Sequence, residues 1–105
     1  PDSPDAPAAL MAAANLLVGR VGDFKEGCRL YERILQRYPE WEQIRGVYPA
    51  LIRAYDLAGD AESRVKLLYD IQQKFPPDSP LNQYATQELG KAAVVNKHTE
   101  DKPAQ

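Results

Sequence analysis

Apolar residues recur at spacings of three and four along five stretches of the chain, which predicts an all-α protein. We predict helices over residues 5–21, 24–38, 41–58, 61–75 and 79–95. No stretch alternates apolar and polar residues as a half-buried strand does. Because the linking segments are short, consecutive helices are expected to pack as antiparallel hairpins.

Each of the first four predicted helices has an apolar stripe that we expect to face a core. The stripes are Ala8, Met11, Ala12, Asn15 and Val18 in the first helix; Phe24, Cys28, Tyr31, Ile34, Leu35 and Tyr38 in the second; Val47, Tyr48, Leu51, Ile52 and Tyr55 in the third; and Val65, Leu68, Ile71 and Phe75 in the fourth. The single cysteine, Cys28, cannot form an internal disulfide, and its place in a stripe favours a buried thiol.

Pro49 lies inside the third predicted helix. An interior proline removes one backbone hydrogen bond and clashes with the preceding turn. Either the helix bends at Pro49, or it begins near Gly46. We favour the bend.

Two pairs of residues recur at one interval. Gly22-Asp23 is repeated as Gly59-Asp60, and Tyr38-Pro39 returns as the aromatic-proline pair Phe75-Pro76, each 37 residues further along. Glycine suits the left-handed residue that ends a helix, and aspartate suits the cap of the next one. A fixed period of 20 to 50 residues is typical of stacked-repeat proteins.

These residues resemble the tetratricopeptide repeat family, whose helix pairs carry Gly-Asp-aromatic between the helices and proline after the second. The resemblance implies a right-handed helical-repeat solenoid of antiparallel helix pairs, with about two repeats and a C-terminal capping helix over residues 1–95. The polar segment 96–105 is expected to be a disordered tail. The sequence departs from the family at Arg64, Asn15 and Ile52, where smaller residues are usual.

One short motif narrows the resemblance. Pro1-Asp2-Ser3-Pro4 is repeated in residues 77–80. An aromatic residue, this motif and an alanine-rich helix resemble bacterial envelope members of the family: the periplasmic coordinator of the Tol–Pal system and the lipoprotein of the outer-membrane protein assembly machine. This implies a periplasmic or cell-envelope location. We interpret the chain as a fragment of a longer protein.

Charge and residue chemistry narrow the function. The net charge is −2, and lysine and arginine are scattered among acids, so nucleic-acid binding is not expected. No apolar run is long enough to span a membrane. The lone histidine, His98, lies in the tail, and one histidine with one cysteine cannot form a structural zinc site. We expect no catalysis, metal or cofactor, and we interpret Asp60 as a helix cap.

By position in the family, the first helix of each pair would line a concave groove. The resemblance therefore implies a lining of Ala9, Ala12, Leu16, Gly19, Arg20, Gly46, Pro49, Arg53, Asp56 and Leu57, which Asn82 and Gln83 could extend. The carboxylate clamp of chaperone-binding members is not expected, because its places hold Ala12, Leu16, Pro49 and Arg53. We expect a protein or peptide partner, an apolar or amphipathic segment. Self-assembly into a homo-oligomer is the alternative.

Overall fold

The structure, a computed structural model, describes the backbone of residues 5–101 and the side chains of residues 5–91. It contains α1 (Ala6–Leu16), a π-helical turn (Leu17–Val21), α2 (Phe24–Arg37), a 3₁₀ turn (Ile44–Gly46), α3 (Val47–Ala58), α4 (Ala61–Lys74) and α5 (Pro80–Asp101). No strand occurs among residues 5–101. The all-α prediction is confirmed.

The chain divides into two compact units, Pro1–Arg64 and Val65–Gln105. In the first unit α2 packs against α1, the π-helical turn and α3. Its buried apolar residues include Ala14, Tyr31, Ile34, Val47, Leu51 and Ile52. In the second unit Leu68, Ile71 and Ala85 are buried.

The two repeated Gly-Asp pairs end one helix and begin the next, as predicted. Gly22 and Gly59 have φ of 82° and 76°, in the left-handed region that favours glycine. The Asp23 carboxylate accepts a hydrogen bond from the Glu26 amide at 3.2 Å. The Asp60 carboxylate accepts one from the amide of Ser63 at 3.1 Å. Both aspartates therefore cap the following helix.

The hydrogen bonds that close the helix before each Gly-Asp pair differ between the two pairs. After α3, the Gly59 amide donates to the Asp56 carbonyl and the Asp60 amide to the Tyr55 carbonyl, which is a Schellman motif. Before the first pair, the amides of Gly22 and Asp23 both donate to the carbonyl of Leu17. The bond from Asp23 therefore spans one residue more than the bond from Asp60. The π-helical turn accommodates this extra residue, where the sequence predicted a regular helix.

The third helix begins at Val47, so the predicted bend at Pro49 is wrong and the alternative start near Gly46 is correct. Pro49 occupies the first turn of α3, where a backbone N–H would have no partner within the helix. Before α3, successive turns link the amide of Trp41 to the carbonyl of Tyr38 and the Ile44 amide to the Trp41 carbonyl. Residues 41–46, which the sequence placed in the third helix, therefore belong to the connection between α2 and α3.

The predicted apolar stripes hold in α2 and α3 and fail in α1. All five stripe residues of α3 are buried, as are Cys28, Tyr31 and Ile34 of α2. In α1 the residues Ala8, Ala12 and Asn15 are exposed, and Pro7 and Ala14 are buried. Alanine gives little contrast between faces, so the contact with α2 determines which face of α1 is buried.

The last helix continues past its predicted end at Val95 to Asp101, so part of the expected tail has helical backbone. The expected disorder of the tail stays a prediction. Residues 102–105, the Pro1–Pro4 motif and the side chain of His98 lie outside the described residues.

Candidate groove on the first unit

Eight residues of the predicted groove lining are all exposed to solvent. The set, called here the groove residues, comprises Ala9, Ala12, Leu16, Arg20, Pro49, Arg53, Asp56 and Leu57. They lie on α1, the π-helical turn and α3, all within the first unit. Leu16 and Leu57 are 54% and 43% exposed, which is high for large apolar side chains.

A hollow of about 270 Å³, called here the Arg53 hollow, is lined by one of these residues, Arg53. Its lining is Asn15, Val18, Gly19, Tyr31, Ala50 and Arg53. It therefore brings Gly19 and Arg53 of the predicted lining together, on the π-helical turn and on α3. The other seven groove residues, Ala9, Ala12, Leu16, Arg20, Pro49, Asp56 and Leu57, do not line it.

Four residues of the Arg53 hollow were missed by sequence reasoning. Asn15, Val18 and Tyr31 were assigned to core stripes, and Ala50 was assigned to no site. The available signal was spacing, because Asn15 and Gly19 are four residues apart, as neighbours on one helix face are. Their meeting with Tyr31 and Ala50 depends on the packing of separate helices.

Two residues that line the Arg53 hollow, Tyr31 and Asn15, form a hydrogen bond between two helices. The phenol of Tyr31 in α2 donates to Oδ1 of Asn15 in α1. Burial raises the pKa of Tyr31, while the positive charge of Arg53 acts in the opposite direction. The guanidinium of Arg53 is therefore close enough to influence the phenol across the hollow.

The two arginines of the groove, Arg20 and Arg53, take part in none of the ion pairs found among the described residues. Arg29 pairs with Glu26 at 2.8 Å, and Lys74 pairs with Asp70 at 3.2 Å. No described carboxylate lies within ion-pair distance of Arg53 or Arg20. Both arginines are exposed.

A second hollow of about 420 Å³, called here the Cys28 hollow, is formed by α2 and the end of α3. Its lining is Lys25, Cys28, Glu32, Tyr55, Ala58, Gly59 and Asp60. The phenol of Tyr55 donates a hydrogen bond to Oε2 of Glu32. Burial, followed by this hydrogen bond and the charge of Glu32, raises the pKa of Tyr55.

The Cys28 thiol is buried, as the sequence predicted. Burial, with the negative charges of Glu32 and Asp60, raises the pKa of Cys28 to about 11. Because the thiolate is the reactive form, this thiol is a poor nucleophile near neutral pH. Cys28 is therefore not an activated nucleophile in this hollow.

Asn82 does not extend the groove, contrary to the sequence expectation. Its side chain is buried. The amide nitrogen donates to the carbonyls of Gln72 and Phe75 at 3.1 and 2.7 Å, and Oδ1 accepts from Thr86. Asn82 therefore satisfies backbone carbonyls at the end of α4, a structural role. Gln83 is exposed, and its side chain donates to the Asp78 carbonyl at 3.5 Å.

Two further searches cover the described part of the chain. Among those residues, no group of three or more histidine, cysteine or acidic side chains could hold a metal ion. None of the described helices combines the length and apolar character needed to cross a membrane.

Comparison with known protein families, with characterised proteins and with solved structures gives no match.

Proposed function

We propose that this chain is a protein–protein interaction module that binds a peptide or a helix along the groove residues. The observation that carries the proposal is their exposure on α1, the π-helical turn and α3, together with a hollow that one of them, Arg53, lines. Solvent-exposed Leu16 and Leu57 supply apolar contact area, which is what interaction surfaces offer.

The size of the Arg53 hollow favours a side chain of a partner over a free small molecule. Binding sites for drug-sized molecules usually enclose about 300–1,000 Å³. The hollow holds about 270 Å³, below that range. A peptide that places one side chain in the hollow and rests its backbone on neighbouring exposed residues makes better use of this surface.

We extend the proposal to the architecture, a tetratricopeptide-like scaffold of stacked helix pairs. Its support is the 37-residue recurrence of the Gly-Asp pairs, with both glycines in the left-handed region. In the first unit α2 also packs against both α1 and α3, as stacking requires. A cell-envelope location is proposed on the repeated Pro-Asp-Ser-Pro motif alone.

Self-assembly is the second candidate function. Val21 is 68% exposed and Leu16 is 54% exposed, so the first unit presents apolar side chains that a second copy could cover. Sedimentation velocity over a wide range of protein concentration separates the two candidates. A sedimentation coefficient that does not change with concentration contradicts self-assembly, whereas a concentration-dependent increase that Val21→Ser and Leu16→Ser abolish supports it.

The groove is tested by filling the Arg53 hollow from two sides. Peptides are first selected on the wild-type protein from a displayed library of random short peptides, and their affinities are then measured with the variants. Ala50→Trp fills the hollow from α3, and Gly19→Phe fills it from the π-helical turn, where a Cβ at Gly19 meets no atom within 4 Å. Gln36→Trp, at an exposed position of α2 that lines neither hollow, is the matched control.

We expect selected peptides to bind the wild type and Gln36→Trp alike and to lose about tenfold or more in affinity for both filled variants, a loss of about 1.4 kcal/mol or more. Circular dichroism confirms that each variant is folded. A selection that yields no binder, or binders that tolerate both filled variants, contradicts the proposed groove.

A further inference from the structure

The formal charge summed over the groove residues differs in sign from the net charge of the whole chain. The groove residues include two cations, Arg20 and Arg53, and one anion, Asp56, which gives a local charge of +1. The chain as a whole has a formal net charge of −2. Counted over these residues, the charge of the proposed groove is opposite in sign to that of the whole chain, which favours an acidic partner.

Arg53 is the cation placed to act on a bound segment. It lines the hollow, it is exposed, and no described carboxylate pairs with it. A guanidinium presents donors in a planar fork that matches a carboxylate. Asp56 lies one turn further along α3 and is itself exposed, so it disfavours a ligand carboxylate on its own side of Arg53.

The rest of the hollow is suited to an apolar side chain. Val18 and Ala50 supply apolar side chains to its lining, and Tyr31, which also lines it, is buried. The Tyr31 hydroxyl already donates a hydrogen bond to Asn15, so this phenol does not require a polar ligand. An apolar group entering the hollow removes its own surface from water and leaves this hydrogen bond in place.

We infer that the groove selects segments in which an acidic side chain lies next to an apolar one, with Arg53 binding the carboxylate and the Arg53 hollow receiving the apolar side chain. This inference rests on the proposed function and adds the chemical class of the partner. It assigns the recognition of the acidic side chain to one residue, Arg53, which can be changed without filling the hollow.

The experiment uses peptides selected on the wild-type protein, and the full chain throughout. Each selected peptide is synthesised in its original form, with its acidic residue replaced by glutamine, with that residue replaced by lysine, and with its neighbouring apolar residue replaced by serine. Affinities are measured for the wild type, Arg53→Gln, Arg53→Glu and Arg33→Glu. Arg33 is exposed on α2 and lines neither hollow, so Arg33→Glu controls for the change in net charge.

We expect the selected peptides to be enriched in aspartate or glutamate beside an apolar residue. Arg53→Glu should weaken the original peptides about fivefold or more, because an exposed ion pair is lost and a repulsion replaces it. The lysine peptides should regain affinity for Arg53→Glu, while Arg33→Glu should stay within about twofold of the wild type. Added salt should weaken wild-type binding more than Arg53→Gln binding.

The possible failures are distinguishable. Peptides that lose affinity for Ala50→Trp and bind wild type and Arg53→Glu equally overturn the inference and leave the proposed groove intact. Serine peptides that bind as tightly as the originals overturn the role given to the hollow. Peptides that are insensitive to Ala50→Trp and Gly19→Phe overturn both the inference and the proposed function.

Discussion

The phenol of Tyr55 donates a hydrogen bond to the carboxylate of Glu32 and so joins α3 to α2 inside the first unit. These residues belong to different halves of the recurring pattern, because Glu32 precedes Pro39 and Tyr55 follows it. The bond therefore contributes to the packing of successive helices against each other, on which the shape of the proposed groove depends.

Tyr55→Phe removes this hydroxyl and keeps the buried ring. Glu32 is half-buried and can be partly hydrated, so we expect a loss of about 1–2 kcal/mol in the free energy of unfolding. Urea denaturation measures this loss. Tyr69→Phe is the control, because Tyr69 is 54% exposed and should change stability by less than about 0.5 kcal/mol. Equal effects of the two substitutions would remove the hydrogen bond as the cause.

Gly27 permits close contact between α2 and the π-helical turn. A Cβ at Gly27 would lie 2.5 Å from Cγ2 of Val18. Valine is stiff at χ1, so we expect Gly27→Ala to destabilise the protein by about 1–3 kcal/mol. Val18→Ala removes the methyl group in conflict, and a double-mutant cycle by urea denaturation should show a favourable coupling. Simple additivity of the two changes would exclude a steric conflict between these residues.

The same change, glycine to alanine, should have opposite effects at different positions. Gly22→Ala and Gly59→Ala place a Cβ on left-handed backbone, and each should cost about 1 kcal/mol. Gly90 lies within α5 with no atom within 4 Å of an added Cβ, so Gly90→Ala should stabilise the protein by up to about 1 kcal/mol. Thermal unfolding of the three variants measures the signs. A stabilising change at Gly22 or Gly59 would contradict the left-handed assignment.

Asn82 is expected to be more important for stability than its exposed neighbour Gln83. Asn82→Ala leaves the carbonyls of Gln72 and Phe75 without this donor, and we expect a loss of about 1–3 kcal/mol. Hydrogen exchange measured by mass spectrometry should show faster exchange near the α4–α5 connection. Gln83→Ala should stay within about 0.5 kcal/mol of the wild type. If both variants were equally stable, the capping role of Asn82 would be wrong.

The buried thiol predicts a decrease in stability at alkaline pH. Burial raises the pKa of Cys28 to about 11, from an ordinary value of 9.0. The folded chain therefore holds this proton where the unfolded chain releases it, so the contribution is complete below pH 9 and is lost as pH rises toward 11. Urea midpoints for wild type and Cys28→Ala, measured across this range, should converge or cross. A constant difference would show that the thiol pKa is unchanged by folding.

Sequence reasoning worked where the signal is local. The glycines at 22 and 59 and the capping aspartates were placed correctly, since a helix end depends on the conformation and hydrogen bonds of adjacent residues. The apolar face of α3 was also correct, because large side chains at regular spacing leave one way to bury them. The expectation of an all-α fold follows from the same periodicity.

Other features depended on contacts between residues far apart in the chain. The alanine-rich α1 could bury several faces, and packing against α2 selected Pro7 and Ala14. In the π-helical turn each backbone hydrogen bond spans one residue more than in an α-helix. The spacing of apolar residues does not predict this difference. Asn82 gave no sign of its role, because its acceptors belong to another helix.

The sequence by itself determined the helices and most of their ends, because propensity, capping and periodicity act within a few residues. The tertiary structure alone decided that Asn15, Tyr31, Ala50 and Arg53 meet at one hollow. These residues come from three helices, and their distances depend on helix packing, which side-chain volumes across the interfaces determine.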